Sequence, residues 1–330
     1  MPDSYTSFEA ENLALKTHAC YYREGRGVLR LAGKESIDFL QRLSTNDVDP
    51  LAEGALVTSV LTTEKAKVVD VCTFIPDSGQ ILAMTSPGRA NAVKSWLQKY
   101  IIMEDITIED LSSSLISVCL VNPEQDSFLS AILWSSAPIV PRKPYRFEFA
   151  GYSYLLYHDE AFSAPTYHLV ASEEAFNAFA VQGVHKIPLQ PVGRLAFESF
   201  RIEQGVPAVG RDIGDQTNPL EASLSRYISF TKGCYIGQEV IARIDTYKKL
   251  QKELRGLIID ANEALTLTPG SLWSAGEGVG STTSHAWSFS LQRQIALGFV
   301  KTGAETGVLE YRPERGTGAL PVKISTFPLC

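Results

Sequence analysis

The chain has 330 residues, 45% of them hydrophobic and 20% charged, with a formal net charge of −7. Such a length accommodates about two domains, and the composition is that of a globular protein whose core needs no staples. The acidic balance excludes a surface that as a whole attracts nucleic acid or anionic membrane, and no run approaches the roughly 18 apolar residues of a spanning helix.

The N-terminal stretch MPDSYTSFEAENLALK carries acids and no apolar core, so no signal or transit peptide is expected and the predicted location is cytoplasmic. GVLRL at 27–31 reads as a strand, and SIDFLQRL at 36–43 as a short helix with Ser36 as its N-cap. ALVTSVL, KVVDVCTFI and QILAMT follow as three strands. The cluster Pro76-Asp77-Ser78-Gly79 predicts a hairpin between the last two. From Arg89 the period changes. Val93, Trp96, Leu97, Tyr100 and Ile101 recur at helical spacing.

LISVCLV at 115–121, and RFEF and YSYLLY across Ala150-Gly151, supply further strands; 134–144, with three prolines, reads as a linker. Ser172 is placed as the cap of a helix that carries Phe176 and Phe179 and stops at Gly183. Pro191 is expected to open the next helix, with Val192, Leu195, Ala196 and Ile202 on one face and Gly205 at its end. Beyond about residue 250, short apolar runs among Gly, Ser, Thr and Pro predict a separate β-rich domain. Hairpins mixed with helices argue for an α+β fold.

Cysteines at 20, 72, 119, 234 and 330 share no short spacing, and the histidines at 18, 158, 168, 185 and 285 are equally scattered. Neither a disulfide framework nor a metal-ligand set is expected. GEGVG at 276–280 lacks the strand-before, helix-after context of a nucleotide loop and reads as a β-turn.

One constellation remains, KGCYIGQE at 232–239. GQEVIARI can begin a helix just after Gly237, which places Cys234 near a helix N-terminus with Lys232 two residues away. Both influences favour a thiolate. On these residues alone, a lone cysteine is more often buried and inert.

KGCYIGQE resembles the signature of the YgfZ-type folate-binding proteins, relatives of the glycine-cleavage T-protein. FLQRLSTNDV at 39–48, TTEKAKVVD at 62–70, FESFRIEQGVP at 197–207, NPLEASL at 218–224 and IALGFVK at 295–301 are similar to further family segments, in family order. The resemblance implies two interleaved ferredoxin-like α+β subdomains around a folate pocket over residues 1–250, and a C-terminal β-barrel over 251–330. It implies tetrahydrofolate, or a one-carbon derivative, as cofactor. Iron–sulfur proteins or assembly factors are the implied partners, with neither membrane nor direct nucleic-acid binding.

By position, Glu203 matches the glutamate expected to pair with the pterin, because a carboxylate accepts from an amino group and a ring N–H side by side. Tyr227, Phe230 and Tyr235 are candidate walls for the aminobenzoyl ring. Arg243, with Lys248 and Lys249, is a candidate for the anionic tail, and Gln238 joins the folate-binding set from the same signature. Asp70 stands where the T-protein carries the first of two acids, with Val71 in place of the second. Cys234, Lys232 and Asp70 are the candidates for chemistry. The implied function is a tetrahydrofolate-binding accessory to iron–sulfur cluster assembly or repair, supporting enzymes such as those that methylthiolate tRNA. The alternative is a folate-dependent aminomethyltransferase or other one-carbon transferase.

Overall fold

Strand Val57–Thr62 pairs antiparallel with Val68–Asp77, which turns tightly into Gln80–Pro87. Ser78 and Gly79 both adopt positive φ, 49° and 80°, the backbone that lets a two-residue turn match the strand twist. Arg26–Ala32 and Thr107–Asp110 complete a five-stranded sheet. The structure is a computed structural model that describes residues 2–121, 140, 142–182, 189–261, 267–304, 307–314 and 318–329.

Helix α1 (Phe8–Thr17) precedes this sheet, and α2 (Ser36–Leu43) and α3 (Ala90–Gln98) cover one of its faces. Phe39, Leu40, Val93, Trp96 and Leu97 pack there on Leu29, Leu31, Cys72 and Phe74. Ser36 does not cap α2. The N-cap is Glu35, and the Ser36 hydroxyl donates to the Gly33 carbonyl at 2.8 Å. Tyr100 and Ile101 follow α3 in a turn but still pack against the same core. Helix α1 has no counterpart among the predicted elements, because its buried face carries Glu11 and Asn12 beside Ala14 and Leu15 and so breaks the apolar pattern.

A six-stranded sheet runs in the order Gln190–Pro191, Cys20–Tyr22, Ile116–Val121, Thr166–Ala171, Tyr152–His158, Tyr145–Phe149. The short strand Cys20–Tyr22 precedes the first sheet in sequence but belongs to the second, so the two units interleave. Helix α4 (Glu173–Gln182) buries Phe176 and Phe179 on Tyr154, Tyr167 and Leu169. The Ser172 hydroxyl accepts from the Ala175 amide at 3.1 Å, the expected cap. Most of 134–144, and Gly183, lie outside the described residues.

Helix α5 (Arg194–Gln204) starts later than expected. Pro191 pairs with Tyr21 in the sheet edge, Gly193 is the N-cap, and Leu195 is 37% exposed. Gly205 ends α5 in the left-handed conformation. Helix α6 (Gln238–Tyr247) follows Gly237, as the signature predicts. Six antiparallel strands from Lys252 to Ser325 then close into a barrel. Closure leaves no free edge to template aggregation. Within the barrel, Ala275 and Gly276 form a turn, both at positive φ, and the rest of the GEGVG run opens the strand Glu277–Ser288. The mixed α+β architecture with its C-terminal barrel is the one expected.

Candidate functional site

Between the two sheets and α5 lies a cavity of about 520 Å³, within the range of small-molecule sites. Its first wall comes from one face of strand Val68–Asp77. Side chains alternate across a strand, so Val71 and Thr73 line the cavity while Cys72 and Phe74 enter the helix-covered core. Asp70 has the core phase too. It is fully buried, accepts from the Val71 amide at 2.9 Å and the Ser86 amide at 3.1 Å, and is not a lining residue. Burial raises its carboxyl above the ordinary range, and the Ser86 side chain, the Ser86 and Val71 amides and the Arg89 charge only partly oppose this. Asp70 thus accepts backbone amides on the core side of the strand, and Val71 faces the cavity.

The opposite walls are aromatic and charged. Tyr22, Phe162, Phe197 and Tyr227 contribute rings, with Tyr22 stacked on Phe197 at 4.1 Å between centroids. Six arginines line the space (26, 89, 194, 201, 211 and 226) against three acids, Glu24, Asp159 and Glu198. Arg26 Nε donates to Glu24 Oε2 at 2.8 Å, and its Nη2 to Asp159 Oδ2 at 3.4 Å. His168 Nε2 lies 2.8 Å from the same Asp159 oxygen. Burial would raise the Asp159 carboxyl, but His168 and Arg26 outweigh it and hold the group well below the carboxylate range.

Glu203 points elsewhere. Five residues on from Glu198, it is turned about 140° around α5, at 100° per residue. Its carboxylate accepts from Ser288 Oγ at 2.6 Å and meets Lys16 at 3.4 Å, under the barrel and outside the cavity lining. Glu198 is the acid of this helix that faces the cavity. Glu203→Gln is accordingly expected to leave ligand affinity in the cavity within about twofold while lowering the denaturation midpoint; titration and urea unfolding of the same variant check both.

The KGCYIGQE loop docks beside the cavity, on the segments that were similar to the family at 39–48 and 62–70. Lys232 Nζ donates to the Ser44 carbonyl at 3.0 Å and the Asn46 carbonyl at 2.5 Å, and lies 5.5 Å from the Tyr235 ring centroid. Burial pushes its ammonium down to about 8 despite Asp47 and Asp49. The Thr62 hydroxyl donates to the Ile236 carbonyl, and the Ile236 amide donates to that of Arg42. Gly237 has φ +84°, and a Cβ there would stand 2.7 Å from the Thr63 carbonyl oxygen. Gly237→Ala is expected to cost roughly 2 kcal/mol or more through strain and clash, measurable by urea unfolding.

Cys234 is exposed on this loop, whereas Cys20, Cys72 and Cys119 are buried. Of the candidate binding and catalytic residues named from sequence, Tyr227 alone lines the cavity. Tyr235 is buried with Ala66, Ile228 and Ile241 beneath the loop. Gln238 is half-buried at the start of α6; Arg243, Lys248 and Lys249 are exposed along and after that helix, and Phe230 is 49% exposed. Glu24, Arg26, Arg89, Asp159, Glu198 and Arg226 were not anticipated. The only sequence signal was Glu24-Gly25-Arg26-Gly27, a charged pair alternating with glycines at a strand start.

Residues 252–329 match the family model of the glycine cleavage T-protein C-terminal barrel domain. The glycine cleavage system aminomethyltransferase T from Bartonella henselae superposes with a TM-score of 0.85 at 17% identity, over 98% of this chain and 90% of that one. The chain has the T-protein fold.

Among curated relatives, the chloroplastic protein At1g60990 of Arabidopsis thaliana is 29% identical over 288 residues, which is 84% of this chain. The alignment spans 64% of that protein's length. The aminomethyltransferase of Thermus thermophilus is 26% identical over 343 residues, 99% of this chain and 92% of the relative. That of Desulfitobacterium hafniense is 26% identical over 314 residues, 91% and 83% respectively. Among the described residues of this T-protein-like chain, no helix is long and apolar enough to cross a membrane.

Proposed function

We propose that the chain binds a tetrahydrofolate in the central cavity and serves as an accessory to iron–sulfur cluster assembly or repair, with the Cys234 loop as its working surface. The observation that carries this reading is the phase of the strand at 70–71. The T-protein motif has two acids there, and the position that faces the cavity is the one this chain fills with Val71. A one-carbon transfer would lack a carboxylate at that point.

The cavity fits a folate. Its volume and aromatic walls suit a pterin and an aminobenzoyl ring. Arg194 and Arg211, with side chains 48% and 44% exposed, stand where an anionic tail would leave toward solvent. When bound, folate would supply one-carbon chemistry. The chain's own residues orient it and exclude water. Cys234 is a single thiol, and among the described residues no group of three or more His, Cys, Asp or Glu is placed to hold a metal. Further ligands to a transiently handled cluster would come from the partner protein, in keeping with an accessory role.

The test is complementation. In cells lacking the chain, the activity of iron–sulfur enzymes, tRNA methylthiolation among them, is expected to fall and to return with wild type but not with Cys234→Ala. Full rescue by Cys234→Ala would remove the thiol from the account.

A folate-dependent transferase is the second reading, supported by the aminomethyltransferase names of relatives aligned over most of their length. Aminomethyl transfer by the purified chain from a lipoyl carrier to tetrahydrofolate would establish it. On the present account that assay gives no turnover above background.

A further inference from the structure

The three cavity acids differ in what they have left to offer. Glu198 is saturated: Arg201 Nε donates to Oε1 and Oε2 at 3.0 Å each, and Arg201 Nη2 and Arg211 Nη2 also reach Oε2. Asp159 is saturated too. Its Oδ1 accepts from the Ala161 amide at 2.9 Å, and Oδ2 faces both His168 and Arg26. Glu24 is different. Its Oε2 accepts from Arg26 Nε, and among the described residues Oε1 has no partner.

Arg26 mirrors this. Nε is taken by Glu24 and Nη2 by Asp159, and Nη1 has no partner among the described residues. Neither Glu24 Oε1 nor Arg26 Nη1 is sealed in the protein as an orphaned atom. Both residues line the cavity, with side chains 13% and 14% exposed. Asp159, itself anchored by His168 and the Ala161 amide, fixes the Arg26 plane from behind. The wall therefore presents a carboxylate acceptor next to a rigid cationic donor.

We infer that Glu24 and Arg26 together read a heterocycle edge in which an amino group and a ring N–H adjoin a carbonyl. This deepens the folate reading and rests on it for the choice of ligand. The carboxylate accepts from the two N–H groups and the guanidinium donates to the carbonyl. The 2-amino-4-oxo edge of a pterin has this pattern, and so does guanine. A 4-amino group in place of the carbonyl would set donor against donor at Arg26, and an unmatched polar pair in a closed site is strongly rejected. Arg26 is thus a specificity residue for 4-oxo over 4-amino ligands, and Glu24 is the group that holds the edge.

Folic acid and aminopterin, which differ at the 4-position, test this by calorimetry on the full chain, with guanosine as a third probe. Wild type is expected to bind folic acid at least ~10-fold tighter than aminopterin, and Glu24→Gln to lose at least ~10-fold for folic acid. The wild-type preference needs no variant, so it decides the matter even if Glu24→Gln does not fold. Equal or tighter binding of aminopterin, or unchanged folic acid affinity in a folded Glu24→Gln, overturns the inference and leaves the folate reading standing. Guanosine bound with the same Glu24 dependence while folic acid is refused supports the edge reading and removes folate as its source. Refusal of all three probes overturns both.

Discussion

Asp212→Ala is expected to destabilise the chain by about 3–5 kcal/mol, because it removes one of the two carboxylates that pair a buried cation. Arg201 is 4% exposed, and its Nη1 donates to Asp212 Oδ2 at 2.9 Å. Asp212 in turn accepts from the Thr283 and Ser284 hydroxyls of the barrel, at 2.5 Å each, and from the Ala208 amide at 2.8 Å. One carboxylate thereby ties α5, the loop after it and the barrel together. Glu198 continues to neutralise Arg201 in the variant, which keeps the expected loss near the lower end of that range. Urea unfolding measures it, and a loss under about 1 kcal/mol would mean that the barrel docks by apolar packing alone.

The same pair sets an acid-side dependence. Burial would raise the carboxyls of Asp212 and Glu198, but pairing with Arg201 outweighs it and leaves both lowered. A depressed carboxyl contributes stability that is present above its unfolded pKa, about 3.9 for Asp and 4.3 for Glu, and is lost as pH falls through the folded value. Wild type is expected to lose stability below about pH 4, and Asp212→Ala to show a shallower acid limb.

Lys232→Met is expected to cost about 1–3 kcal/mol, since the Ser44 and Asn46 carbonyls would lose their buried donor. Its larger effect is on the loop. With the ammonium gone, the segment bearing Cys234 is no longer pinned to the Ser44–Asn46 turn, and the thiol's alkylation rate, resolved by peptide mass spectrometry, is expected to rise severalfold. The pH signature runs opposite to that of Asp212. Burial lowers the Lys232 ammonium to about 8, so the cost of burying its charge is fully present below that pH. It is relieved as pH rises toward the unfolded value of about 10.4. Wild type should therefore gain on Lys232→Met between pH 8 and about 10.4. Parallel stability curves would show that the ammonium is solvated.

Local signals carried much of the fold. Pro76-Asp77-Ser78-Gly79 marks its hairpin because two left-handed residues are needed there, and Gly237 marks the start of α6 for a similar reason. What the sequence hides is phase. VVDVC is apolar on both sides of Asp70, and the strand is buried on both faces, so a period of two does not say whether Asp70 or Val71 meets the ligand. Helix α5 raises the same problem. It buries residues from Ala196 to Glu203 around most of its circumference, between α1, the cavity and the barrel, which leaves Glu198 and Glu203 equivalent on paper. The Glu24–Arg26–Asp159 cluster was out of reach for another reason. Arg26 and Asp159 are 133 positions apart, and the contact joins the start of a strand in the first sheet to the end of one in the second.

The proposed function requires that the cavity between the sheets be a folate site beside an independent thiol loop. Calorimetric titration with 5-formyltetrahydrofolate tests it most directly, on wild type, Val71→Trp and Cys234→Ser. One site per chain is expected in wild type, with loss of binding in a folded Val71→Trp because the indole fills the cavity wall, and full binding in Cys234→Ser. Wild type without binding, or Val71→Trp with wild-type affinity, would contradict it.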